Sequence, residues 1–371
     1  MVPLRRGRHA GVAHVDGGRA HGAWLFVARP PARAKPRGAA PPHSCPPPCS
    51  ASSASALTCT AARRQAELQL EGSSASAFFG VYDGHGGREV ARFCALRLHS
   101  TLLATPAFGR GDVEGALVAS FFGVDEQIRT EAGRKALASL ADGAPPASDE
   151  GGAERAAAEA AMEAEEGEEA GRGPTAGCTA CVALIQGGVL YVANAGDSRA
   201  VLCRAGGAAE DMSVDHKPTL EREKARIIAA GGFVADGRVK GSLALSRAIG
   251  DMEFKQSPGL GPEAQMVTAL PDVRREPLRS TDEFLLIACD GIWDVMSSSG
   301  AVEFVRGRLA GGAMPVDAAA SLCDACMAPD TRGNGLGCDN MSVVIVQLLA
   351  AQGRAAPGQR RRPGAHPPLR S

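Results

Sequence analysis

Short apolar runs recur along the middle of the chain, and each is bounded by glycine, aspartate or asparagine. Runs of this length that are rich in aliphatic and β-branched residues predict buried strands. The six clearest runs are AFFGVYD, CTACVALIQ, VLYVANAG, SRAVLCRAG, EFLLIACD and MSVVIVQLL. Their number indicates that sheets form the centre of the molecule.

Helical spacing of apolar residues is clearest in two segments. In GREVARFCALRLHSTLLA, one face of the predicted helix collects the apolar side chains Val90, Phe93, Cys94, Leu98 and Leu102. The segment TLEREKARIIAAGG predicts a second helix, which begins at Thr219 as its N-cap and ends at Gly231 and Gly232.

The segment VLYVANAGDSRAVLC is typical of a hairpin, and its predicted turn, NAGDS, contains Asp197. Strands that are joined partly by tight turns and partly by helices are typical of an α+β protein. The pattern therefore predicts an α+β fold in which helices cover the sheets.

Composition divides the chain into four parts. Residues 1–65 are basic and rich in proline, with Asp16 as their only acid, which predicts a disordered or targeting-like leader. The acidic segment at about 142–173 predicts a solvated insertion, and the basic residues 351–371 predict a disordered tail. The remaining span, 66–350, is then one folded domain.

Charge and hydropathy exclude several classes of protein. The 371 residues carry a formal net charge of −1, and aromatic residues make up only 4% of them, which disfavours a nucleic-acid-binding protein or a nuclease. No apolar run approaches the ~20 residues of a membrane-spanning helix. We therefore expect a monomer without nucleic-acid or membrane partners in the cytoplasm or nucleus, although the Arg-rich N-terminus leaves organellar targeting open.

Eleven cysteines raise the alternatives of a disulfide scaffold or a zinc site. Two CxxC pairs occur, CTAC at 178–181 in a strand-like run and CDAC at 323–326 in a helix-like run. Neither pair has the tight turn of a zinc ribbon, so we interpret these cysteines as buried, reduced thiols.

Three aspartates lie at the ends of predicted strands. Asp83 and Asp290 follow apolar runs, whereas Asp339 precedes one. If the third strand is antiparallel to the other two, all three side chains emerge at one rim. Carboxylates ~4 Å apart repel each other by about 4 kcal/mol at an effective dielectric constant of ~20. Such a cluster favours a bound cation, and ligands that are all oxygen favour Mg²⁺ or Mn²⁺.

The segment DGHGG after the first of these strands adds two features. Its glycines permit a sharp turn, and the bare carbonyl of Gly84 can face a metal. His85 lies two residues from Asp83, and neighbouring carboxylates raise the pKa of an imidazole toward cellular pH. A single DG pair is an ordinary turn, so the hypothesis depends on three strand-end acids in one domain.

Six segments in this order resemble the motifs of the metal-dependent Ser/Thr protein phosphatases of type 2C. They are VYDGHGG, ANAGDSRAVL, DHKPTLEREKARIIAAGG, GRVKGSLALSRAIGD, FLLIACDGIWDVMSS and GCDNMSVVIVQ, and the resemblance covers roughly residues 76 to 349 apart from the insertion. The resemblance implies an α-β-β-α sandwich of two antiparallel sheets flanked by helices. It also implies hydrolysis of phosphoserine and phosphothreonine in protein substrates by a metal-activated water.

The resemblance further implies roles for particular residues at a binuclear Mn²⁺ or Mg²⁺ centre. Asp83 would bridge both ions, the carbonyl of Gly84 would help to hold one, and Asp290 and Asp339 would bind the other. His85 would be the general acid that protonates the leaving oxygen. By the same resemblance, an additional, weaker ion would be held by Asp197 and Asp294, which are otherwise a turn residue and a helix cap.

The chain departs from the family pattern at its start. Members of the family begin with a strand and an arginine that grips the substrate phosphate, followed by a Glu-Asp pair, and none of these is found upstream of residue 78. The segment TAARRQAELQLEG offers Arg63 and Arg64 without such a pair. An alternative is therefore a weakly active or inactive phosphatase-like binding protein.

Overall fold

Two sheets and the helices that cover them make up the described structure. The computed structural model describes residues 13–16, 19–22, 24–26, 63–67, 76–141, 174–329 and 335–349. The strands are β1 Ala13–Asp16, β2 Arg19–Gly22, β3 Trp24–Phe26, β4 Arg63–Glu67, β5 Ser76–His85, β6 Gly177–Gln186, β7 Val189–Ala195, β8 Arg199–Cys203, β9 Ala209–Asp211, β10 Val234–Ala235, β11 Arg238–Val239, β12 Ile249–Gly250, β13 Asp272–Pro277, β14 Phe284–Ala288 and β15 Val343–Leu349. The helices are α1 Glu89–Ala104, α2 Pro106–Gly109, α3 Val113–Arg129, α4 Glu131–Ala141, α5 Glu221–Ala229, α6 Asp290–Trp293, α7 Ser298–Ala310 and α8 Pro315–Cys326.

The strands form two main sheets. In the first sheet the order is β13-β7-β6-β5-β4, and β12 also pairs with β6. In the second sheet the order is β2-β1-β15-β14-β8-β9, and β3 also pairs with β15. The pairs are antiparallel except for β1 with β15, which is parallel. A small separate hairpin joins β10 to β11.

Alternation of side chains along the strands builds three apolar layers. Phe79 of β5 and Ile287 of β14 point between the two sheets and pack in one cluster. Their neighbours point outward, so that Phe78 packs against helices α1 and α3, and Leu286 packs against α7 and α8. Helices thus cover both outer faces, and the predicted α+β fold, an α-β-β-α sandwich, is confirmed.

Helix α1 shows why the sequence pattern was informative. All five residues of its predicted apolar face are buried against the first sheet. Burial of a leucine or phenylalanine side chain contributes about 1.5 to 3 kcal/mol, so this face secures the helix on the sheet. The helix follows β5 directly, and it therefore fixes the loop that carries Gly86 and Gly87.

Two local predictions are wrong. The segment predicted as a hairpin is not one, because β7 belongs to the first sheet and β8 to the second. The chain crosses between the sheets at Gly196, whose φ is +121°. Helix α5 has Leu220 at its N-cap position without a side-chain cap, so Thr219 does not cap it, whereas the predicted end at Gly231 agrees with its left-handed φ of +82°.

Strands also occur within the residues 1–65 that composition predicted to be a leader. Strands β1, β2 and β3 extend the second sheet, and β4 lies antiparallel to β5 with Arg63 opposite Tyr82. The prediction that no strand precedes residue 78 is therefore wrong. Composition could not reveal these strands, because strand pairing uses backbone N–H and C=O groups that nearly every residue carries.

The other predicted segments lie largely outside the described residues. None of the insertion at 142–173 or of the tail at 351–371 belongs to the described part, and their boundaries stay predictions. Within the described part, no helix has the length and hydropathy that a membrane span requires.

The cysteines of both CxxC pairs are buried and form no disulfide within the described residues, in agreement with the interpretation as reduced thiols. Cys178 and Cys181 of β6 face different layers, one toward helix α1 and one between the sheets. Because their side chains point to opposite faces of the strand, these two cysteines cannot bind one ion together.

Candidate metal centre

Strand alternation brings two motifs together at one end of the sandwich. Phe79 and Val81 point between the sheets, and the same alternation directs Asp83 into that layer. On the facing sheet, Ile287 and Cys289 of the β14 segment point into the same layer. The ends of β5 and β14 therefore meet, although the two strands lie in different sheets.

Three potential ligand atoms converge at this point. One carboxylate oxygen of Asp83, the Sγ atom of Cys289 and one carboxylate oxygen of Asp290 all lie within 4.8 Å of one another. Asp83 is almost fully buried, with 4% of its surface exposed. The structure thus brings Asp83 and Asp290 together from positions far apart in the sequence.

The carboxylate of Asp290 is the least satisfied group of this cluster. Its Oδ1 atom is buried and has no hydrogen-bond partner among the described residues. Burial raises the pKa of Asp290 well above its ordinary value, and the charges of Asp197, Asp83, Asp339 and Asp294 raise it further. A buried acceptor among four other carboxylates is the environment that a bound cation would relieve, so these residues fit a metal site.

Asp339 reaches the cluster from the second sheet. Strand β15 is antiparallel to β14, with Ala288 opposite Val343, so the residues before β15 lie beside the residues after β14. A Cβ atom at Gly291 would lie 2.5 Å from the carbonyl oxygen of Asn340, which shows how closely the two loops approach. Among the described residues, Asp339 acts on Asp290 through its charge but is not part of the 4.8 Å group.

Asp197 and Asp294 both lie close enough to Lys217 and Asp290 to act on their charges. Asp197 follows the crossing point at Gly196, is buried, and accepts a hydrogen bond from Lys217 Nζ at 2.5 Å. Burial alone would lower the pKa of Lys217, but the carboxylates of Asp197, Asp290 and Asp294 raise it. Lys217 therefore partly neutralises this group of acids.

Asp294 is the C-cap residue of the short helix α6, as its helix-cap interpretation predicted, and its N–H donates to the carbonyl of Asp290. Burial raises the pKa of Asp294, whereas the charge of Lys217 lowers it and those of Asp197 and Asp339 raise it. Asp294 thus shares the electrostatic environment of the centre.

Gly84 and His85 are the last two residues of β5, so the chain does not turn directly after Asp83. Gly84 pairs with Cys178, and the sharp turn comes at Gly86, whose φ is +69°. The Nε2 atom of His85 lies 2.9 Å and 2.8 Å from the two carboxylate oxygens of Asp251. Burial alone would lower the pKa of His85, but Asp251, Asp83 and Asp197 raise it above its ordinary value.

Cys289 is close to the acids but is held in other contacts. Its Sγ donates to the carbonyl oxygen of Asn340 at 3.3 Å and accepts from the N–H of Ser342 at 3.1 Å. Burial raises the pKa of the thiol well above its ordinary value, and the charges of Asp83 and Asp290 raise it further. Cys289 is therefore a neutral thiol that joins the end of β14 to the loop before β15.

Sequence reasoning missed three residues of this region, namely Lys217, Asp251 and Cys289. Lys217 and Asp251 lie within the motifs DHKP and AIGD, but neither motif indicates which residue its side chain meets. The sequence feature that could have indicated Asp251 as a site residue is the Gly-Asp pair after an apolar run, which resembles the Asp-Gly pairs at the ends of the other strands. His216 of the DHKP motif is fully buried, and its Nδ1 accepts from the N–H of Gly196 at 3.2 Å, so it holds the backbone at the crossing between the sheets.

Comparison with known proteins agrees with this geometry. The sequence profile of the family described as "Protein phosphatase 2C" matches residues 49–145 and 139–335. The chain is 48% identical over 287 residues to "Probable protein phosphatase 2C 11" of Oryza sativa subsp. japonica, covering 74% of this chain and 77% of that protein. It is 46% identical over 287 residues to "Probable protein phosphatase 2C 21" of Arabidopsis thaliana, covering 74% and 79%.

Among solved structures, the chain is similar to the crystal structure of a phosphatase from a pathogenic strain of Toxoplasma gondii. The TM-score is 0.55 and the identity is 25%, and the match covers 74% of this chain and 85% of that chain. The profile match alone spans well over half of the chain. The chain therefore belongs to the protein phosphatase 2C family, and it is a metal-dependent protein serine/threonine phosphatase.

Proposed function

We propose that the protein hydrolyses phosphoserine and phosphothreonine at a binuclear centre of Mn²⁺ or Mg²⁺. The proposed ligands are the carboxylates of Asp83, Asp290 and Asp339 and the carbonyl of Gly84, with Asp197 and Asp294 for an additional, weaker ion. The observation that carries the proposal is the buried Oδ1 atom of Asp290, which has no hydrogen-bond partner in the described part of the chain and lies among other acids.

The chemistry of the donor set supports these ions. Carboxylate and carbonyl oxygens suit Mg²⁺ and Mn²⁺, and the neighbouring thiol of Cys289 is retained in hydrogen bonds to Asn340 and Ser342. Divalent ions held there would lower the pKa of water and neutralise charge on the phosphoryl oxygens. Asp83, at the end of one sheet, and Asp290, at the end of the other, would then hold the two sides of the centre together.

His85 is the proposed proton donor. In hydrolysis the bond between phosphorus and the seryl or threonyl oxygen breaks, and that oxygen takes up a proton as it leaves. The carboxylates around His85 raise its pKa, which favours the protonated imidazole that such a step needs. The side chain is 14% exposed, so a substrate can reach it from the rim.

Phosphoprotein substrates would approach beside Lys217. A cavity of about 700 Å³ lies there, lined by Arg199, Asp215, Lys217 and Arg274 among others. Arg199 is held by Asp215 at 2.9 Å and 2.7 Å, and its guanidinium lies 5.1 Å from the ring centre of Trp293. A preorganised, mixed-charge surface of this kind suits a polar peptide segment.

The alternative of a non-catalytic binding protein gains no support from the described residues. It was motivated by the missing arginine and Glu-Asp pair, whose loss would weaken binding and catalysis by about 10- to 100-fold each rather than remove the metal ligands. We therefore retain the active enzyme as the proposed function.

The test is metal-dependent hydrolysis of a phosphothreonine peptide and of p-nitrophenyl phosphate. The variant Asp290→Asn is compared with Asp282→Asn, which changes a buried aspartate just before β14, at the end of that strand remote from Asp290. Metal binding by each protein is measured separately by isothermal titration calorimetry.

We expect Asp290→Asn to lower kcat/KM by about two to four orders of magnitude, since bound metal supplies several kcal/mol of charge stabilisation. It should also lose at least one metal-binding event in calorimetry. Asp282→Asn should retain both activity and metal binding. Equal activity of the wild type and Asp290→Asn would contradict the proposal.

The remaining properties are proposed from composition alone. We propose a monomer in the cytoplasm or nucleus that binds neither nucleic acid nor membrane, because the 40 basic and 41 acidic residues nearly balance. Light scattering coupled to size-exclusion chromatography tests the oligomeric state, and a C-terminal fluorescent fusion tests the compartment. A dimer, or an organellar signal, would contradict the respective prediction.

A further inference from the structure

The partly buried His85 and the buried Asp251 form a side-chain pair beside the candidate metal centre. Both oxygens of Asp251 lie within hydrogen-bond distance of one ring nitrogen of His85, at 2.9 Å and 2.8 Å from Nε2. Asp251 is 1% exposed, so water does not compete for this contact. Because Nε2 is occupied, Nδ1 is the ring nitrogen that remains for another group.

The bare backbone of Gly177 makes the pair possible. Gly177 lies in β6 between two neighbouring strands, with His85 opposite it on β5 and Gly250 opposite it on β12. The side chains of His85 and Asp251 meet over this glycine. A Cβ atom at position 177 would lie 2.5 Å from Nε2 of His85 and would overlap the carboxylate of Asp251.

The backbone of Asp251 is held in an unfavourable conformation. Its φ is +50°, a left-handed value that residues other than glycine adopt uncommonly, aspartate more readily than most. Its N–H donates to the carbonyl of Ala176 at 3.0 Å, and the N–H of the preceding Gly250 donates to Asp125 Oδ1 at 2.8 Å. Such strained residues persist where surrounding contacts determine them, and they concentrate at functional sites.

A second buried ion pair supports this backbone. Lys255 Nζ donates to the same Asp125 oxygen at 2.6 Å and to the carbonyl of Ala248 at 2.8 Å. Asp125 belongs to helix α3, which packs on the outer face of the first sheet. The position of Asp251 is thus fixed by the sheet on one side and by a helix on the other.

We propose that Asp251 is a positioning residue, which holds Nε2 of His85 so that Nδ1 is the nitrogen that donates a proton to the leaving oxygen. This inference rests on the proposed role of His85 as the proton donor. Asp251 does not touch the substrate, and its carboxylate fixes the orientation of the ring and the nitrogen that is used.

In the proposed reaction a water oxygen bonds to phosphorus, and one proton of that water stays on the phosphate product while the other passes to solvent. The bond from phosphorus to the seryl or threonyl oxygen breaks, leaving its electron pair on that oxygen. The proton on Nδ1 passes to this oxygen, so that the alcohol departs neutral and His85 becomes neutral. The proton on Nε2 stays between His85 and Asp251, and solvent returns the proton to Nδ1 after the alcohol leaves.

The experiment compares two substrates that differ in their need for a proton. The alkoxide of phosphothreonine requires protonation as it leaves, whereas the nitrophenolate of p-nitrophenyl phosphate is stable without it. Asp251→Asn and Gly177→Ala are measured on both substrates at saturating Mn²⁺, together with His85→Gln. Asp282→Asn is the matched control, because it changes a buried aspartate far from the centre.

We expect Asp251→Asn to lower kcat for the phosphothreonine peptide by about 10- to 1000-fold, but kcat for p-nitrophenyl phosphate by less than about threefold. The KM for the peptide should stay within about twofold, because Asp251 makes no substrate contact. Gly177→Ala should show the same preference for the aryl substrate, because the added methyl group separates the same pair. Asp282→Asn should keep the wild-type ratio of the two kcat values.

A spectroscopic measurement separates positioning from a general loss of structure. Nitrogen-15 NMR of the labelled histidines reports which ring nitrogen of His85 carries a proton in each protein. We expect protonated Nε2 in the wild type and a changed tautomer population in Asp251→Asn, with the other histidine signals unchanged.

Different failures have different meanings. If Asp251→Asn and Gly177→Ala keep the wild-type ratio while His85→Gln loses peptide turnover, the positioning role is wrong and the proposed function stands. If His85→Gln also keeps peptide turnover, the proton-donor role of His85 is wrong as well. Should Asp251→Asn fail to fold, a wild-type ratio in Gly177→Ala alone would overturn the inference.

Discussion

The carboxylate of Asp290 destabilises the metal-free protein more than an ordinary surface aspartate would. Asp290 combines burial, an oxygen that no described residue hydrogen-bonds, and the charges of four neighbouring acids. Each of these features opposes ionisation of Asp290 while no cation is bound. The residue is therefore unfavourable for the metal-free fold and favourable for the metal-bound one.

We predict that Asp290→Asn stabilises the metal-free protein by on the order of 1 to 3 kcal/mol near pH 7, the range that an unsatisfied buried group costs. The raised pKa of Asp290 gives the sign of the pH dependence. The folded protein favours the protonated carboxyl of Asp290. The stability that this preference gives is fully present below the ordinary carboxyl pKa of about 4, and it is lost as the pH rises through the raised pKa of the folded state.

The difference in unfolding free energy between Asp290→Asn and the wild type, both without metal, should therefore grow from pH 5 to pH 8. Thermal unfolding in EDTA at several pH values measures it, with Asp282→Asn as the control for loss of a buried carboxylate. A variant that is less stable than the wild type at every pH would contradict the prediction.

At the scale of elements, the link between the two sheets decides where Asp197 lies. Gly196 accepts the N–H of His216 at 2.9 Å through its carbonyl and donates to the ring of His216 at 3.2 Å. Next to it, Thr179 Oγ1 and Ser198 Oγ are 2.8 Å apart and join β6 to the start of β8. These contacts fix the crossing between sheets.

We predict that Gly196→Ala destabilises the protein by about 2 to 5 kcal/mol. The φ of +121° suits only glycine, and a Cβ atom would lie 2.5 Å from Cβ of Thr179. The control is Gly187→Ala, where φ is +59° and a Cβ atom would meet nothing within 4 Å. That change should cost only about 1 to 2 kcal/mol.

Urea unfolding of both variants measures the difference. Equal losses of unfolding free energy in Gly196→Ala and Gly187→Ala would show that the crossing is not tightly packed.

A buried ionic cluster holds helix α5 to the body of the protein. Glu223 is 0% exposed and accepts from Arg226 and Arg247 at 2.6 Å each and from Ser246 Oγ at 2.8 Å. Arg247 also donates to Asp272 at 2.9 Å. Burial alone would raise the pKa of Glu223, but the two arginines lower it to about 2.

We predict that Glu223→Gln lowers the unfolding free energy by about 3 kcal/mol at pH 7, because it leaves buried arginines without their partner. Because the pKa of Glu223 is lowered in the folded protein, its stabilisation is present above the pKa of about 4.5 that it has in the unfolded chain. The stabilisation is lost as the pH falls toward the folded-state pKa of about 2. The gap between wild type and variant should therefore close over that range.

Urea unfolding at pH 7, 4 and 3 measures the gap, with the exposed Glu221→Gln of the same helix as the control. A gap that stays constant down to pH 3 would contradict the assignment.

At the scale of the whole molecule, the candidate centre joins the two sheets. Asp83 comes from the first sheet, whereas Asp290 and Asp339 come from the second. A cation bound by residues of both sheets would stabilise their packing, because the unfolded chain does not bring these residues together.

We predict that Mn²⁺ at about 100 times its Kd adds about 2.7 kcal/mol of stability. For a domain of this size, that gain raises Tm by about 4 to 5 °C. Thermal unfolding with and without EDTA measures the shift for wild type, Asp290→Asn and Asp282→Asn. The first variant should lose the shift and the second should keep it, and an equal shift in both would place the stabilising ion elsewhere.

Much of this arrangement was predictable because local pattern has a local cause. Alternation in FFGVYD and FLLIACD directs Asp83 and Cys289 to the inner face, and this does not depend on the order of the strands in the sheet. In the same way, helical spacing determines the buried face of α1. The hairpin predicted around Asp197 failed for a related reason, because tight-turn residues are compatible with a return to the same sheet or with a crossing to another.

The sequence alone was sufficient to predict six of the central strands, the buried face of the first helix and the strand ends at which acids gather, because these features depend on residues a few positions apart. Only the tertiary structure decided which strands share a sheet, that Lys217 meets Asp197, and that His85 meets Asp251 over Gly177. The last pair joins residues 166 positions apart. Such contacts depend on how distant elements pack and, for His85 and Asp251, on the glycine that lies between the two side chains. Neither condition produces a periodic pattern along the sequence.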